Sequence, residues 1–317
     1  MQKLIPTVSV IIPTYNRAYS ISQTIESVLQ QIYQDFEIIV VDDASTDNTE
    51  EVVKRFGDSR ICYLRHEKNR GAPWARNSGA EAARGEYLAF LDSDDVWYPR
   101  LLEQQVAALT DLPLDVGMVC CGLIRKEGDN CKALIPGKRG LSFDENLIFG
   151  NGICTSSFLV RKTAFQAVGG FSIEFSSFQD FDFLLRMTAK YQAATLDEVL
   201  LEYRLGNDSI SLNMDSKAKG FERIIQVYRS DILRLELMSA YMFRLGQYHV
   251  LSGRLATGWR NWTQAWRHNP WDAKMGKHFF LTLGGVKLYR YMLLMHQRRV
   301  ARRNAQDNPS GSTFERQ

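Results

Sequence analysis

The strongest constraint on this chain is the alternation, through its first half, of short Val- and Ile-rich runs with segments of helical spacing. Val8–Ile12, Glu37–Val41, Ile61–Leu64, Tyr87–Leu91 and Val116–Ile124 are apolar runs of strand length, the pattern of strands buried on both faces. Between the early ones lie Ser20–Gln31, Asp47–Phe56 and Pro73–Ala83. Ile21, Ile25, Val28 and Leu29 fall at i, i+4, i+7 and i+8, one face of a helix. Thr46, Asp47 and Asn48 supply cap chemistry, and Glu50 and Glu51 suit the first turn of the helix that follows. Alternation on this scale needs crossover connections, and so predicts a mainly parallel sheet with helices on both faces. Ligands of such sheets bind beyond the carboxyl ends of the strands. The loops after the strands are therefore where chemistry is expected.

Composition narrows the class. With 317 residues, 45% hydrophobic and 24% charged, the chain has the mix of a globular protein with a full core, which excludes wholesale disorder, collagen-like repeats and a multi-span membrane protein. Its five cysteines are odd in number and show no CxxC pairing. A disulfide framework or zinc cluster is not expected, and a reducing compartment fits better. The start, MQKLIPTVSVIIPTYNR, lacks the long apolar core of a secretory signal. These features predict a cytoplasmic protein.

The net charge of +3 hides an asymmetry. From Asp215 to Gln317 there are 18 Lys and Arg against 7 Asp and Glu, while the first 214 residues hold 21 against 29. An acidic front and a basic rear suggest two jobs on one chain. From about Phe221 the strand signal ends, and Ile224–Tyr248, Ser252–His268 and Asp272–Arg303 read as helices, punctuated at Asn269-Pro270. Trp259, Trp262 and Trp266, at i, i+3 and i+7, share a helix face. That stripe either packs one helix on the next or forms a membrane-interface belt. Phe279–Met295 is apolar but broken by Lys287 and Arg290, so it does not span. The expectation is an α/β unit over residues 1–214, with a first part over about 1–115 and a second over about 116–214. A basic, Trp-rich helical region with a frayed tail follows over 215–317. Those helices would sit on the cytoplasmic face of a membrane, with a homodimer element as the alternative. No nucleic-acid module signature is present, and no nucleic-acid partner is expected.

Three loops carry the chemistry. Pro13-Thr14-Tyr15-Asn16-Arg17 follows the first strand, where a dinucleotide dehydrogenase would place GxGxxG. It offers instead a hydroxyl, an aromatic ring and an amide, suited to holding a base or ribose from the side. Asp42-Asp43 ends the second strand, placed to accept hydrogen bonds from ribose hydroxyls or a base N–H. Asp92-Ser93-Asp94-Asp95 ends the strand Tyr87–Leu91. Three carboxylates within four residues are costly to assemble unless a cation neutralises them. Hard oxygen donors without His or Cys argue for Mg²⁺ or Mn²⁺, with open positions for phosphate oxygens. Each loop also has a plainer reading, as a polar turn, a pair of capping acids or a solvated acidic turn.

Taken in order, VSVIIPTYNR, EIIVVDDASTDNT and NRGAPWARNSGAEAARGEYLAFLDSDDVWYP resemble the family 2 inverting glycosyltransferases of the GT-A fold. The likeness covers about the first 210 residues. It implies an α/β, Rossmann-like fold with a C-terminal helical extension. It implies that Pro13, Thr14 and Tyr15 line the nucleotide pocket, that Asp43 faces the nucleobase with Asp42 beside it, and that Arg76 approaches the nucleotide. Asp92-Ser93-Asp94 would be the DxD motif, touching ribose and holding Mn²⁺ or Mg²⁺ on the diphosphate, with Asp95 as a further metal ligand. In Gln179-Asp180-Phe181-Asp182 the family's general base maps onto Asp180, while Asp182 orients the loop. The family's usual Glu before the base is here Gln179, and its frequent Tyr-Arg-x-His appears as Tyr203-Arg204-Leu205-Gly206. Arg204 is left to neutralise the leaving diphosphate. The implied reaction is inverting transfer from a nucleoside-diphosphate sugar, UDP first and dTDP or GDP behind it, to a glycan or lipid-linked acceptor, as in surface polysaccharide assembly. A nucleotidyltransferase would show a glycine-rich, basic loop after the first strand, which PTYNR is not. A scaffold that has lost catalysis stays open because of Gln179 and the missing histidine.

Overall fold

The computed structural model describes residues 5–127, 130–134, 142–149, 154–205 and 213–270, together with 278, 281–282, 284–293 and 295. The tail after Arg303, most of the segment read as a helix from Asp272, Gly206, and parts of the stretch 126–151 lie outside the described residues. The chain divides into two compact units, Met1–Leu212 and Asn213–Gln317.

The first unit is built on one nine-stranded sheet. Strands β1 (Val8–Thr14), β2 (Phe36–Asp42), β3 (Ile61–Arg65) and β4 (Tyr87–Phe90) pair in parallel in the order β3-β2-β1-β4. Helices α1 (Ile21–Leu29), α2 (Thr49–Lys54) and α3 (Ala72–Ala82) make the crossovers. β1, β2 and β4 are buried along their whole length, as the unbroken apolar runs require. All seven residues of β1 are in register with β2, so Thr14 pairs with Asp42 and the two following loops start side by side.

Beyond β4 the sheet turns mixed. β8 (Leu159–Arg161) is antiparallel to both β4 and β6 (Val116–Glu127), β9 (Gln192–Arg204) is parallel to β6, and the two-residue β5 (Val96–Trp97) is antiparallel to β9. β7 (Asn130–Leu134) returns antiparallel along β6. The parallel arrangement expected therefore holds for β1–β4 and for the β6–β9 pair, and the sheet as a whole is mixed. A parallel neighbour needs a long crossover, whereas β7 lies next to β6 in sequence and pairs with it antiparallel. Ahead of β8 the chain makes a single 3-10 turn over Thr155–Ser157. That turn lets Ser156 and Ser157 face inward fully buried. The remaining helices of this unit are α4 (Leu101–Asp111), α5 (Phe143–Phe149), α6 (Lys162–Ala167) and α7 (Gln179–Thr188).

In the second unit, the run Ile224–Tyr248 read as one helix is three pieces: α8 (Met214–Val227), α9 (Arg229–Arg234) and α10 (Met238–Leu251). α9 ends in a Schellman turn, with Leu237 N–H bonded to Ile232 O at 2.8 Å and Glu236 N–H to Leu233 O at 3.0 Å. Glu236 takes the left-handed position usually given to glycine, with φ of 57°, which is why no glycine announced the break. α11 (Leu255–His268) carries the tryptophan stripe. Trp262 is buried and Trp259 donates to Thr282 Oγ1 at 2.9 Å, whereas Trp266 is 56% exposed. Two of the three therefore pack between helices.

α3 lies close on the sheet because Gly79 faces it. A Cβ at Gly79 would stand 2.5 Å from Ile11 Cγ2 and 3.2 Å from Val41 Cγ2, both on stiff, fully buried β-branched side chains. Gly79→Ala should lower stability by about 1–3 kcal/mol and displace α3. Thermal melting of the variant checks this, and an unchanged midpoint would mean the helix is free to lift.

Candidate active site

The loops after β1 and β2 brace each other. Asp43 N–H donates to Thr14 O at 2.8 Å. Asn16 N–H donates to Ser45 Oγ at 2.8 Å, and Asn16 Oδ1 accepts from Thr46 N–H at 2.7 Å. Asn16 and Ala44 both adopt positive φ, 53° and 68°, so each loop turns through a left-handed residue that is not glycine. Pro13 and Thr14 are buried at the strand end, and Tyr15 is 42% exposed beside them. Thr14 Oγ1 is buried and finds no hydrogen-bond partner among the described residues, a group that invites a ligand.

The carboxylates of Asp42 and Asp43 are engaged in shaping these loops. Asp42, fully buried, accepts from Ser45 N–H at 2.7 Å and from the Tyr63 hydroxyl. Burial and then the Asp42 charge push the Tyr63 phenol well above its ordinary value. Asp43 Oδ2 accepts from the backbone N–H groups of Arg70 at 2.9 Å and Gly71 at 2.6 Å. Its Oδ1 meets His66 Nδ1 at 2.8 Å, and His66 Nε2 meets Ser78 Oγ at 3.0 Å. His66 thereby ties Asp43 to α3, a role that no spacing signalled.

The acidic loop after β4 closes on itself through Asp95 N–H to Asp92 O at 3.0 Å. Ser93 is buried, and its carbonyl accepts from Ser20 Oγ at 2.9 Å. Asp92 is ion-paired to the buried Arg76 guanidinium, Nη2 to Oδ1 at 2.5 Å. Arg76 Nε and Nη1 are buried without a hydrogen-bond partner among the described residues, and the guanidinium lies 5.3 Å from the Phe171 ring centre. Burial, with the Asp92 charge adding to it, pushes the Asp94 carboxyl up to about 6, while Arg17 and Arg76 oppose the shift. Asp95 is fully buried. Its Oδ2 accepts from Ser156 Oγ and its Oδ1 from Arg204 N–H at 2.9 Å, and burial followed by Asp92 and Asp94 raises its pKa well above the ordinary value. The Arg204 guanidinium itself is directed to Gln23 Oε1, with Glu202 Oε1 at 3.6 Å.

Asp180 sits in the first turn of α7, entered through Phe178 in the left-handed region at φ 64°. Its Oδ1 accepts from Phe181 N–H at 2.8 Å. Burial raises its pKa; the Phe181 bond and Arg76 lower it, and Asp92 raises it again. Asp92, Arg76 and Asp180 are therefore close enough to feel one another, although α3, the β4 loop and α7 are far apart in sequence. Asp182 is buried and paired with Arg186, Nη2 to Oδ2 at 2.6 Å, and Arg186 Nη1 donates to Val168 O and Gly170 O at 2.8 and 2.7 Å. The next residue, Phe171, is held from α3 by Asn77, whose Nδ2 donates to Phe171 O at 2.8 Å and whose Oδ1 accepts from Phe171 N–H at 2.9 Å. Asn77, Ser156 and Phe171 thus join the site without a sequence signal of their own.

Among the described residues, no group of three or more His, Cys, Asp or Glu side chains closes round a point as a metal cage. The donor set nonetheless suits a hard cation held partly by a ligand. Asp94 stands at the loop with an elevated pKa and Asp92 beside it, whereas both Asp95 oxygens are already occupied by the chain.

The fold and this loop constellation have known counterparts. The family model for glycosyl transferase family 2 matches residues 9–169. The putative teichuronic acid biosynthesis glycosyltransferase TuaG of Bacillus subtilis is 35% identical over 241 residues, 74% of this chain and 92% of that protein. The Escherichia coli enzyme WfgD, named as a UDP-Glc:alpha-D-GlcNAc-diphosphoundecaprenol beta-1,3-glucosyltransferase, is 47% identical over 102 residues, 32% of this chain and 40% of that protein. Among solved structures, the mannosyltransferase PcManGT of Pyrobaculum calidifontis, in complex with GDP-Man and Mn²⁺, superposes with a TM-score of 0.60 at 21% identity over 98% of this chain and 89% of that chain. S. aureus TarS in complex with UDP-GlcNAc gives 0.58 at 17% identity over 82% of this chain and 89% of that chain. The fold is GT-A, and the chain belongs to glycosyl transferase family 2. It is a glycosyltransferase.

The raised pKa of Asp94 has a consequence for stability. Its carboxyl moves from 3.8 to about 6 on folding, so between those values the folded state holds a proton that the unfolded state has lost. In metal-free buffer this group therefore makes the protein less stable as pH rises towards 6, and the penalty stays constant above it. Asp94→Asn should raise stability at pH 7 by on the order of 1–3 kcal/mol, with little gain at pH 4. Denaturant titrations at both pH values test this; a variant less stable than the parent at pH 7 would refute it.

Proposed function

We propose that this glycosyltransferase moves a sugar, with inversion, from a nucleoside-diphosphate sugar to a hydroxyl of a glycan or lipid-linked acceptor, in assembly of a surface polysaccharide. The observation that carries the reading is the buried Arg76, with two donor nitrogens unpartnered, set between the acidic loop and Asp180. An arginine in that state is prepared for an anion such as a diphosphate. A carboxylate with a raised pKa at a helix start, across from it, is prepared to take a proton.

The nucleoside would lie along Pro13, Thr14 and Tyr15, with Thr14 Oγ1 given a partner and the base against the turn that Asp42 and Asp43 build. Uridine is the first choice, in keeping with the UDP-sugars named for WfgD and TarS. Arg76 would bind a diphosphate oxygen through Nε or Nη1, and Ser93 and Asp92 would meet the ribose. Asp94, with Asp92, would hold Mn²⁺ or Mg²⁺, which when bound offsets charge on the departing diphosphate. Asp95 then serves to position the loop, and Asp182 serves through Arg186 to hold the 168–170 turn. Asp180 accepts the proton of the acceptor hydroxyl as that oxygen forms its bond to the anomeric carbon. The bond from that carbon to the diphosphate oxygen breaks, and the electron pair leaves with the nucleotide. A single displacement inverts the anomeric centre, so an α-linked donor yields a β-linkage.

The acceptor class follows the lipid-linked substrate in the name of WfgD and the polymer in the name of TuaG, and it puts the reaction at the cytoplasmic face of a membrane. The free state of all five cysteines suits that compartment. The alternative, a scaffold without catalysis, predicts no turnover despite an intact fold.

Asp180→Asn should lower the transfer rate by roughly 10²–10⁴-fold while nucleotide affinity is retained; near-normal turnover would reassign the base. Thermal shift with UDP, dTDP, GDP and CMP, each with and without Mn²⁺, should show stabilisation by one diphosphate that depends on the metal. No shift with any of them would favour the scaffold.

A further inference from the structure

The C-terminal unit carries a pattern that the transfer reaction does not use. α10 and α11, joined by residues 252–254, cross at two glycines: a Cβ at Gly258 would stand 2.5 Å from Val250 Cγ2 and 2.9 Å from Gly246 O, and one at Gly246 would stand 2.3 Å from Trp262. Leu245-Gly246-x2-His249, then Gly258-x3-Trp262, then Pro270 follows the 34-residue tetratricopeptide spacing, with His, Gly and Trp where Tyr, Ala and Phe are usual. Such a hairpin does not bury both its faces alone and needs a neighbour on each side.

One neighbour is α8, where Phe221 stacks on Tyr241 at 5.2 Å and Glu222 Oε1 meets His249 Nε2 at 2.9 Å. The other is the helix over 285–293. Its Tyr289 is fully buried, 6.0 Å from the Trp262 ring, and Arg290 Nη2 donates to Leu251 O at 3.1 Å. In a repeat array the outer face of this helix would be covered by the next hairpin. Here it presents Leu288, Tyr291 and Met292, which are 46%, 58% and 40% exposed, alongside the exposed Lys287 and Arg290. Leu288, Tyr291 and Met292 fall at i, i+3 and i+4 and form one face.

We propose that this face docks on an anionic phospholipid surface, with Leu288, Tyr291 and Met292 entering the headgroup layer and Lys287 and Arg290 meeting lipid phosphates. The proposal rests on the lipid-linked acceptor reading and names the contact that would serve it. Charge selects the occupant. Residues 215–317 carry 18 basic against 7 acidic side chains, complementary to anionic lipid. A second copy stacked about a twofold axis would instead bring Lys287 and Arg290 against their own counterparts. Among the described residues no helix is long and apolar enough to cross a membrane, so the mode is interfacial.

Flotation of the full chain with phosphatidylcholine vesicles, with and without phosphatidylglycerol, tests this. Binding should require phosphatidylglycerol and weaken with salt. Lys287→Gln with Arg290→Gln should reduce partitioning roughly thirtyfold, and Leu288→Ser, Tyr291→Ser and Met292→Ser together should abolish it, with melting curves and the UDP shift unchanged in both variants. No flotation at low salt, or equal flotation with both lipids, would overturn the proposal. So would a parent that sediments as a dimer and a serine variant that does not, which would assign the face to a second copy. The nucleotide shift is read on the same samples: its absence with flotation intact defeats the transferase reading alone, and the reverse defeats this proposal alone.

Discussion

The site depends on one buried cation. Arg76 lies among Asp92, Asp94 and Asp180, and it lowers the pKa of Asp94 and Asp180 that burial and Asp92 raise. Without a guanidinium in that position, the acids would repel one another in a poorly solvated cleft, and protonation would be the cheaper outcome. Arg76 has no freedom to adjust. Gly79, one turn further along α3, lets the helix lie against Ile11 and Val41, and Asn77 grips the backbone of Phe171, over whose ring the guanidinium rests. The packing of one helix on one strand therefore fixes the electrostatics of the cleft.

The backbone is strained where the chemistry is expected. Of the four residues other than glycine with positive φ among the described residues, Asn16, Ala44 and Phe178 sit in the loop after β1, the loop after β2 and the entry to α7. Each costs of order 1 kcal/mol or more in that conformation. Each is over-determined by its surroundings. Asn16 is held by Ser45 and Thr46, and Ala44 follows Asp43, whose carboxylate is fixed by two backbone N–H groups and His66. The loops are held in shape before any ligand arrives, as preorganised recognition requires.

The first four strands and three helices were legible because each carries its own periodicity, and local pattern needs no partner to be read. The antiparallel return of β7 and the 3-10 turn at Thr155 were not, since they are decided by what the segments pack against. The site divides in the same way. The acids of the β4 loop advertise themselves by crowding. His66, Asn77 and Ser156 are unremarkable in sequence, and their roles exist only once distant loops meet: Ser156 reaches Asp92 N–H and Asp95 across more than sixty positions. Asp95 illustrates the converse. Its place in the acidic run suggested a metal ligand, and nothing in the run announced that it is fully buried with a hydroxyl and an N–H donor on its two oxygens.

The charge balance of the cleft also bears on the order of binding. Asp92, Asp94, Asp95 and Asp180 influence one another, and Arg76 and Arg17 are the cations that the Asp94 carboxyl feels. On the proposed reading, a nucleoside diphosphate arriving alone would bring more negative charge into this field, met by Arg17 and by the two buried nitrogens of Arg76 that have no partner among the described residues. A divalent cation arriving alone would meet carboxylates that already accept bonds, Asp92 from Arg76 and Asp95 from Ser156 and Arg204. Each would then be a poor ligand without the other, whereas together they would be nearly neutral. The same proposal gives a use to a half-buried carboxyl with a pKa near 6 at position 94: its cost would fall on the empty protein and be offset by donor and cation binding together.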